Sequence, residues 1–557
     1  MMRAFRFASL GAFGFSVACC AATPVILISI DTLRADHLSA YGYHRIATPN
    51  IDSFASGGTL FSNIACQTPL TLPSHTSLFT STYPFENRIQ ENAERVAPGA
   101  VTLAGVLKSH GYQTAAFVSS VFLEREMGLD QGFDTYDSPF NFAAFSPISG
   151  EMFFGGANNS YAVRDRREGA LTLYATLRWL AAHNGQSVFV FIHLFDLHTP
   201  YTIPETIAHS KGISRYDAQL EYEDELVGRL KKALVRQGWW DKSLTILLSD
   251  HGEGLGDHGE LSHGYFIYQS TLHVPLIMHW PADAARQPPT VQQPAGLIDV
   301  APAILGFLHL PVPPSFAGSS PLNGLPRVVY SESFHTHDSF GWSPLRAVRL
   351  DDFKYILAPH PELYNLKDDP AEHNNIAAAN PAQASALRAQ LAKLLARQPQ
   401  PPAAPTAATP QTEKLLASLG YLAPGPRGKL TNAGPDPKDR LPEFHLYERA
   451  IETVAARHLQ AAAVLFQQVL AQDPGNTLAR RDLAACYLDL HDYSQARVNF
   501  QQVAAAAPDD YPSQFGLGIA AKHLGLVDEA RAHLEAACRL APRASQCRAE
   551  LDSLEKR

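Results

Sequence analysis

The sequence predicts an α/β domain, a parallel sheet sandwiched between helices, followed by an all-α solenoid of short repeats. Three observations carry that prediction. Apolar strand-like runs alternate with helical patterns from Val25 to about Arg397, the layout of a sheet covered on both faces. A register of small, large and Pro positions recurs every 34 residues after Glu443. Between the two, around Gln398 to Gln411, the composition collapses into Pro, Ala, Gln and Thr, which makes a stiff linker rather than core. At 557 residues the chain is too long for one core, so several domains are expected in any case.

Residues 1–22 read as a signal peptide: Arg3 and Arg6 precede an apolar run from Phe7 to about Ala22 that ends in small residues. The run is short for a membrane span, so the mature chain is expected outside the cytoplasm, periplasmic or extracellular, with no transmembrane segment. A lipid anchor on Cys19 or Cys20 is a variant of the same route. Residues 24–397 form the sheet domain, and three of its apolar runs matter most. Val25 to Ile30 ends in Asp31, Val188 to Ile192 ends in His193, and Ser243 to Leu248 leads into Ser249, Asp250 and His251. Sheets of this kind bind ligands beyond the carboxyl ends of their strands, so all three place polar side chains on one rim.

Residues 398–442 are linker and extension, 443–542 three repeats, and 543–557 a capping helix. In the repeats Pro474, Pro508 and Pro542 keep register with Ala462, Ala496 and Ala530, with Phe466, Phe500 and Leu534, and with Ala450, Ala484 and Gly518. Small residues let paired helices approach, the large one fills their groove, and Pro closes each unit. This resembles the tetratricopeptide repeat, which implies a protein or peptide partner held in a concave groove, or docking on the catalytic domain.

A formal charge of -9 gives no basic field for a polyanion, which excludes nucleic acid as a partner. Six cysteines in so long a chain make no disulfide framework; Cys66 has no evident partner. Cys538 and Cys547 are close enough either to bridge neighbouring helices or to remain two buried thiols.

The chemistry centres on Thr71-Leu72-Pro73-Ser74-His75. Pro73 suits the first turn of a helix and puts Thr71 just before its start, where free N–H groups and the dipole favour an anionic ester. Alone, a Thr in that place is an ordinary cap. The rest of the chain changes the reading. Asp31 to Leu38, Tyr41-Gly42 and Thr48-Pro49-Asn50-Ile51-Asp52 resemble the opening of the sulfatase branch of the alkaline phosphatase superfamily. Ser249 to Gly259 resembles its second metal motif, Val274 to Ile277 follows in order, and Arg346 to Arg349 with Lys354 to Ile356 and Glu362 to Leu366 resemble its small C-terminal antiparallel sheet.

The resemblance implies Asp31, Asp250 and His251 as ligands of a divalent metal, with the Thr71 oxygen as the ligand that becomes the nucleophile. The nitrogen ligand makes Zn²⁺ or Mn²⁺ more natural than Ca²⁺, which stays an alternative; one ion is expected, with room for a second. His193, Asp196 and His198 match the family's substrate-side segment, as substrate ligands or a second metal site. His263 falls where many sulfatases carry Lys and phosphoethanolamine transferases carry His, and His198 and His263 are the expected acid–base partners. Departures matter too. Sulfatases make formylglycine from Cys or Ser in a Cys/Ser-x-Pro-x-Arg pattern, whereas here Thr71 takes the first place and His75 the last. Thr nucleophiles are found among the superfamily's phosphodiesterases and phosphoethanolamine transferases. The expected reaction is therefore cleavage of a phosphate-type ester of a small molecule, glycan or lipid through a covalent Thr71 intermediate. The rivals are a sulfatase without formylglycine, a phospho-substituent transferase, and an inactive scaffold working through its repeats.

Overall fold

The computed structural model describes residues 22–92, 94–140, 166–397, 406–407, 434–540 and 545–555. The signal segment with Cys19 and Cys20, and most of the Pro/Ala-rich linker, lie outside them.

Strand Val25–Ile30 runs through the middle of a nine-stranded sheet. Its side chains alternate between two cores: Val25 and Leu27 enter one, Ile26, Ile28 and Ile30 the other. That is why the run is apolar at every position but Ser29, as a strand covered on both faces requires. Val188–Leu194 flanks it on one side and Leu244–Leu248 on the other, both parallel. The register sets Ser29 opposite both His193 and Leu248, so the residues that follow emerge at one rim. Outward from Val188–Leu194 come Gln113–Phe117 and Thr135–Asp137; outward from Leu244–Leu248 come His273–His279, Thr59–Ala65 and Ala295–Gly296. The expectation of a parallel sheet needs one correction. His273–His279 runs antiparallel to both of its neighbours, which a local apolar run cannot reveal.

A second sheet, antiparallel, orders Val329–Ser333, Leu345–Leu350, Phe353–Leu357 and Glu362–Asn365 as neighbours. Behind it stand six helices in pairs, from Leu441–Ala455 to Val527–Leu540, then Ser545–Glu555. Ala462, Ala496 and Ala530 are fully buried between paired helices, as are Phe466, Phe500 and Leu534. At Gly518 any Cβ would lie 2.7 Å from Leu534 Cγ, so the small position is set by helix approach. Asn476 and Asp510, two residues after Pro474 and Pro508, cap the next helices by accepting from Ala479 and Ser513 N–H. Cys538 and Cys547 form a disulfide to the last helix, while Cys66 and Cys486 are buried and free. No helix among the described residues is long and apolar enough to cross a membrane.

Candidate active site

Four chain segments meet at the rim and are tied to one another. Asp31 N–H donates to Leu194 O at 3.0 Å, Leu33 N–H donates to Ser249 Oγ at 2.9 Å, and Ser74 Oγ donates to Asp250 O at 2.7 Å. Helix Thr71–Thr80 starts at Thr71 itself, one residue earlier than the position of Pro73 suggests. Its N-cap, Leu70, has no side-chain acceptor; Asn92 reaches in instead and accepts the Leu72 N–H at 2.9 Å.

Asp31, Asp250 and His251 bring ligand atoms within 4.8 Å of one another, all three fully buried. The Thr71 hydroxyl joins them, donating toward Asp31 Oδ2 at 3.3 Å and lying 3.5 Å from His251 Nε2. His251 Nδ1 donates to Gly252 O at 2.9 Å, which fixes the tautomer and leaves Nε2 as a lone pair facing the group. Asp31 Oδ1 and Asp250 Oδ2 are buried with no hydrogen-bond partner. Burial raises both carboxyls, Asp31 to about 6, with their mutual repulsion adding to the rise at Asp250. Two bare carboxylate oxygens, one imidazole lone pair and a hydroxyl at this spacing fit a divalent cation, which would satisfy all four.

His75 and His193 lie behind this group. His75 Nδ1 donates to Thr71 O at 2.8 Å and Nε2 accepts from Ser29 Oγ at 3.0 Å, so both ring nitrogens are engaged inside the protein. His193 Nε2 donates to Asp31 Oδ2 at 3.2 Å. Burial holds both imidazoles down at about 4, hence neutral at ordinary pH. His263 packs against His251 with ring centres 4.4 Å apart, and His198 stands 5.2 Å beyond it. His263 Nδ1 and Glu253 Oε1 share a hydrogen bond at 3.0 Å. Burial pushes the Glu253 carboxyl up to about 8 and the His263 ring down to about 4, so this pair holds one proton rather than separated charges.

Asp196 does not join the cluster. Its Oδ2 accepts the Gly169 N–H at 2.8 Å, at the start of helix Gly169–Ala182, and its charge is felt by the buried Glu223 instead. The other expected residues, Asp31, Thr71, His75, His193, His198, Asp250, His251 and His263, form one continuous group. Asn92, Glu253 and Ser29 are additions that sequence reasoning missed. Only Glu253 carried a signal, two residues beyond His251.

The sulfatase family pattern matches residues 23–310, just over half of the 557. The chain belongs to the sulfatase family. The C-terminal pattern of N-sulphoglucosamine sulphohydrolase matches residues 256–400, and a tetratricopeptide repeat pattern matches 454–498. A relative described as an uncharacterized sulfatase, YidJ, of Escherichia coli is 26% identical over 428 residues, covering 63% of this chain and 82% of its own length. The Delta 4,5-hexuronate-2-O-sulfatase of Bacteroides thetaiotaomicron is 22% identical over 412 residues, 63% and 84%. Among solved structures, a 2-O GAG sulfatase aligns with TM-score 0.55 at 20% identity over 68% of this chain and 92% of its own. The phosphonate monoester hydrolase of Agrobacterium radiobacter aligns with TM-score 0.53 at 22% identity over 67% and 96%. At these identities the structures establish the α/β sulfatase-like fold. The chain is thus a sulfatase-superfamily hydrolase with a tetratricopeptide module attached.

Proposed function

We propose that this chain cleaves a phosphate-type ester, a monoester, diester or phosphonate ester, with Thr71 as nucleophile. The observation that carries the reading is the Thr71 hydroxyl itself, set at the start of its helix within 3.5 Å of both Asp31 and His251. Asp31, Asp250, His251 and Thr71 would hold a divalent ion, Zn²⁺ or Mn²⁺ by donor chemistry. When bound, that ion lowers the pKa of the hydroxyl and neutralises charge on the ester oxygens. Thr71 Oγ1 forms the new bond to phosphorus as the bond to the leaving oxygen breaks. The Thr71 hydroxyl already donates toward Asp31 Oδ2, which makes that carboxylate the first acceptor of its proton. The positive end of the dipole of helix Thr71–Thr80 lies at the nucleophile and favours the developing negative charge. The proton shared by Glu253 and His263 serves the leaving oxygen, with His198 alongside. Water then releases the phosphate from Thr71 and the proton returns.

Thr71 has an extra methyl where formylglycine sulfatases carry Cys or Ser, so the aldehyde that hydrolyses sulfate esters has no precursor here. A second reading, cleavage of a sulfuric ester by unmodified Thr71, is favoured by the relatives described as sulfatases. The deciding experiment assays nitrophenyl phosphate, bis-nitrophenyl phosphate, a nitrophenyl phosphonate and nitrophenyl sulfate with Zn²⁺, Mn²⁺ and Ca²⁺. Phosphate-type turnover, loss of it in Thr71→Ala, and phosphothreonine at position 71 after acid quench are expected. Preferential sulfate turnover, or substantial turnover by Thr71→Ala, would overturn the proposal. On the same reading the protein is exported, and its repeats hold a protein or peptide segment.

A further inference from the structure

The geometry points to Phe444 and His445, on the first repeat helix, as positioning residues for His263 and Thr71; the roles of those two rest on the function proposed above. Helix Leu441–Ala455 lies against the loop that carries His263. His445 Nε2 donates to Gly259 O at 2.5 Å, and a Cβ on Gly259 would meet Leu441 Cδ2 at 3.2 Å, so helix and bare backbone are in direct contact. The Phe444 ring centre is 3.8 Å from that of Tyr265.

Tyr265 is the branch point. Its N–H and that of Phe266 donate to Glu260 Oε1 at 2.9 and 3.3 Å, which closes the loop on itself. Gly264, between Tyr265 and His263, has φ +102° and packs closely: a Cβ would meet Leu70 Cδ2 at 3.2 Å, a tight contact, and His335 Cδ2 at 3.6 Å. The peptide joining Tyr265 to His263 is therefore wedged against Leu70, the residue before Thr71. Tyr265 also sets its ring edge-on to His335 at 4.9 Å; His335 Nδ1 pairs with Glu91 Oε2 at 3.0 Å, and Glu91 adjoins Asn92, which accepts the Leu72 N–H. One packed path thus runs from the repeat module to the imidazole, and another to the start of the Thr71 helix. Removal of the Phe444 ring takes away the ring packed closest on Tyr265, with Phe340 still 6.1 Å away, and lets residues 257–265 shift.

The extension that precedes the first repeat helix makes a contact away from this loop. Lys438 Nζ binds Glu362 Oε1 at 2.6 Å and His360 O at 3.1 Å, on the small sheet. Lys438→Ala is therefore the control for docking alone.

The test uses the full chain and two readouts. Amide hydrogen exchange of segments 252–266 and 68–78 reports position without any substrate; the first stops short of Tyr268, whose hydroxyl donates to Glu362. Turnover of whichever nitrophenyl ester the wild type cleaves reports the consequence. Phe444→Ala and His445→Ala are expected to speed exchange in both segments and to lower kcat roughly 10- to 100-fold, with KM within a factor of about 3, as a small misplacement of a reacting group does. Phe444→Tyr is expected to restore both, and Lys438→Ala to leave both at wild-type values. Unchanged exchange in 252–266 for His445→Ala and Phe444→Ala overturns the inference, as does an equal effect of Lys438→Ala. If the wild type cleaves none of the esters, the exchange data still decide it.

Discussion

Glu223→Gln turns the electrostatics of the interior into a number. Glu223 sits inside helix Arg215–Arg236, fully buried, and neither carboxylate oxygen has a hydrogen-bond partner. Burial, and then the nearby charge of Asp196, hold its pKa well above the ordinary 4.5. A group whose folded pKa is raised contributes stability that is complete below the unfolded pKa and is lost as pH climbs toward the folded one. Each pH unit above 4.5 costs ~1.4 kcal/mol for as long as the folded state keeps its proton. Gln does not ionise, so the variant should match the wild type near pH 4.5 and exceed it by a margin that grows as pH rises. For a domain the size of residues 24–397, an unfolding entropy of roughly 0.8 kcal/mol per degree converts each such unit into ~2 °C of Tm. Thermal unfolding of both proteins from pH 4.5 to 7.5, at fixed metal content, measures it. Asp196 keeps its bond to Gly169 N, so turnover at pH 7 should stay within about twofold. A Tm difference that is flat across this range, or a Gln variant less stable than wild type at pH 7.5, would refute the reasoning.

Two further outcomes are expected. Asn92→Ala removes the acceptor for Leu72 N–H and should cost about 1 kcal/mol of stability and slow turnover, because Thr71 opens the helix that loses its cap. Asn92→Asp, which keeps the acceptor, should recover the stability; equal Tm for wild type and Asn92→Ala would show that the cap is idle. Phe466→Ala empties a fully buried site in the first repeat and should cost about 3–5 kcal/mol, read as a separate low-melting helical transition in circular dichroism. One unsplit transition at the wild-type Tm would contradict the nearest-neighbour picture of the array.

The rim was legible because each of three apolar runs stops at a polar residue: Asp31, His193 and the Asp250–His251 pair. The repeats were legible because small and large positions keep one spacing. What escaped depends on contacts between distant segments. Asn92 lies in a loop with no periodicity, and only the folded chain shows that it serves a helix beginning at Thr71. Glu223 reads as one more charge on a strongly charged helix, since nothing local says that its face is covered. Asp196 was assigned to the rim by its neighbours in sequence, yet it turns to the N–H of Gly169 because a helix start offers a better partner. The reversed strand His273–His279 and the Phe444–Tyr265 contact are likewise decisions of topology, which no window of residues contains.

The solenoid is rooted at one end. Its first helix is pressed onto the sheet domain, while its last is stapled by the Cys538–Cys547 bridge. A segment that such an array gripped would share the coordinate frame of Thr71, like work held in a bracket beside a tool. Any ester on that segment would meet the site at an effective concentration set by geometry, in the millimolar range for short tethers, whatever its abundance in solution. Selectivity in an enzyme built this way is a matter of address as much as of pocket, and a weakly specific pocket then suffices.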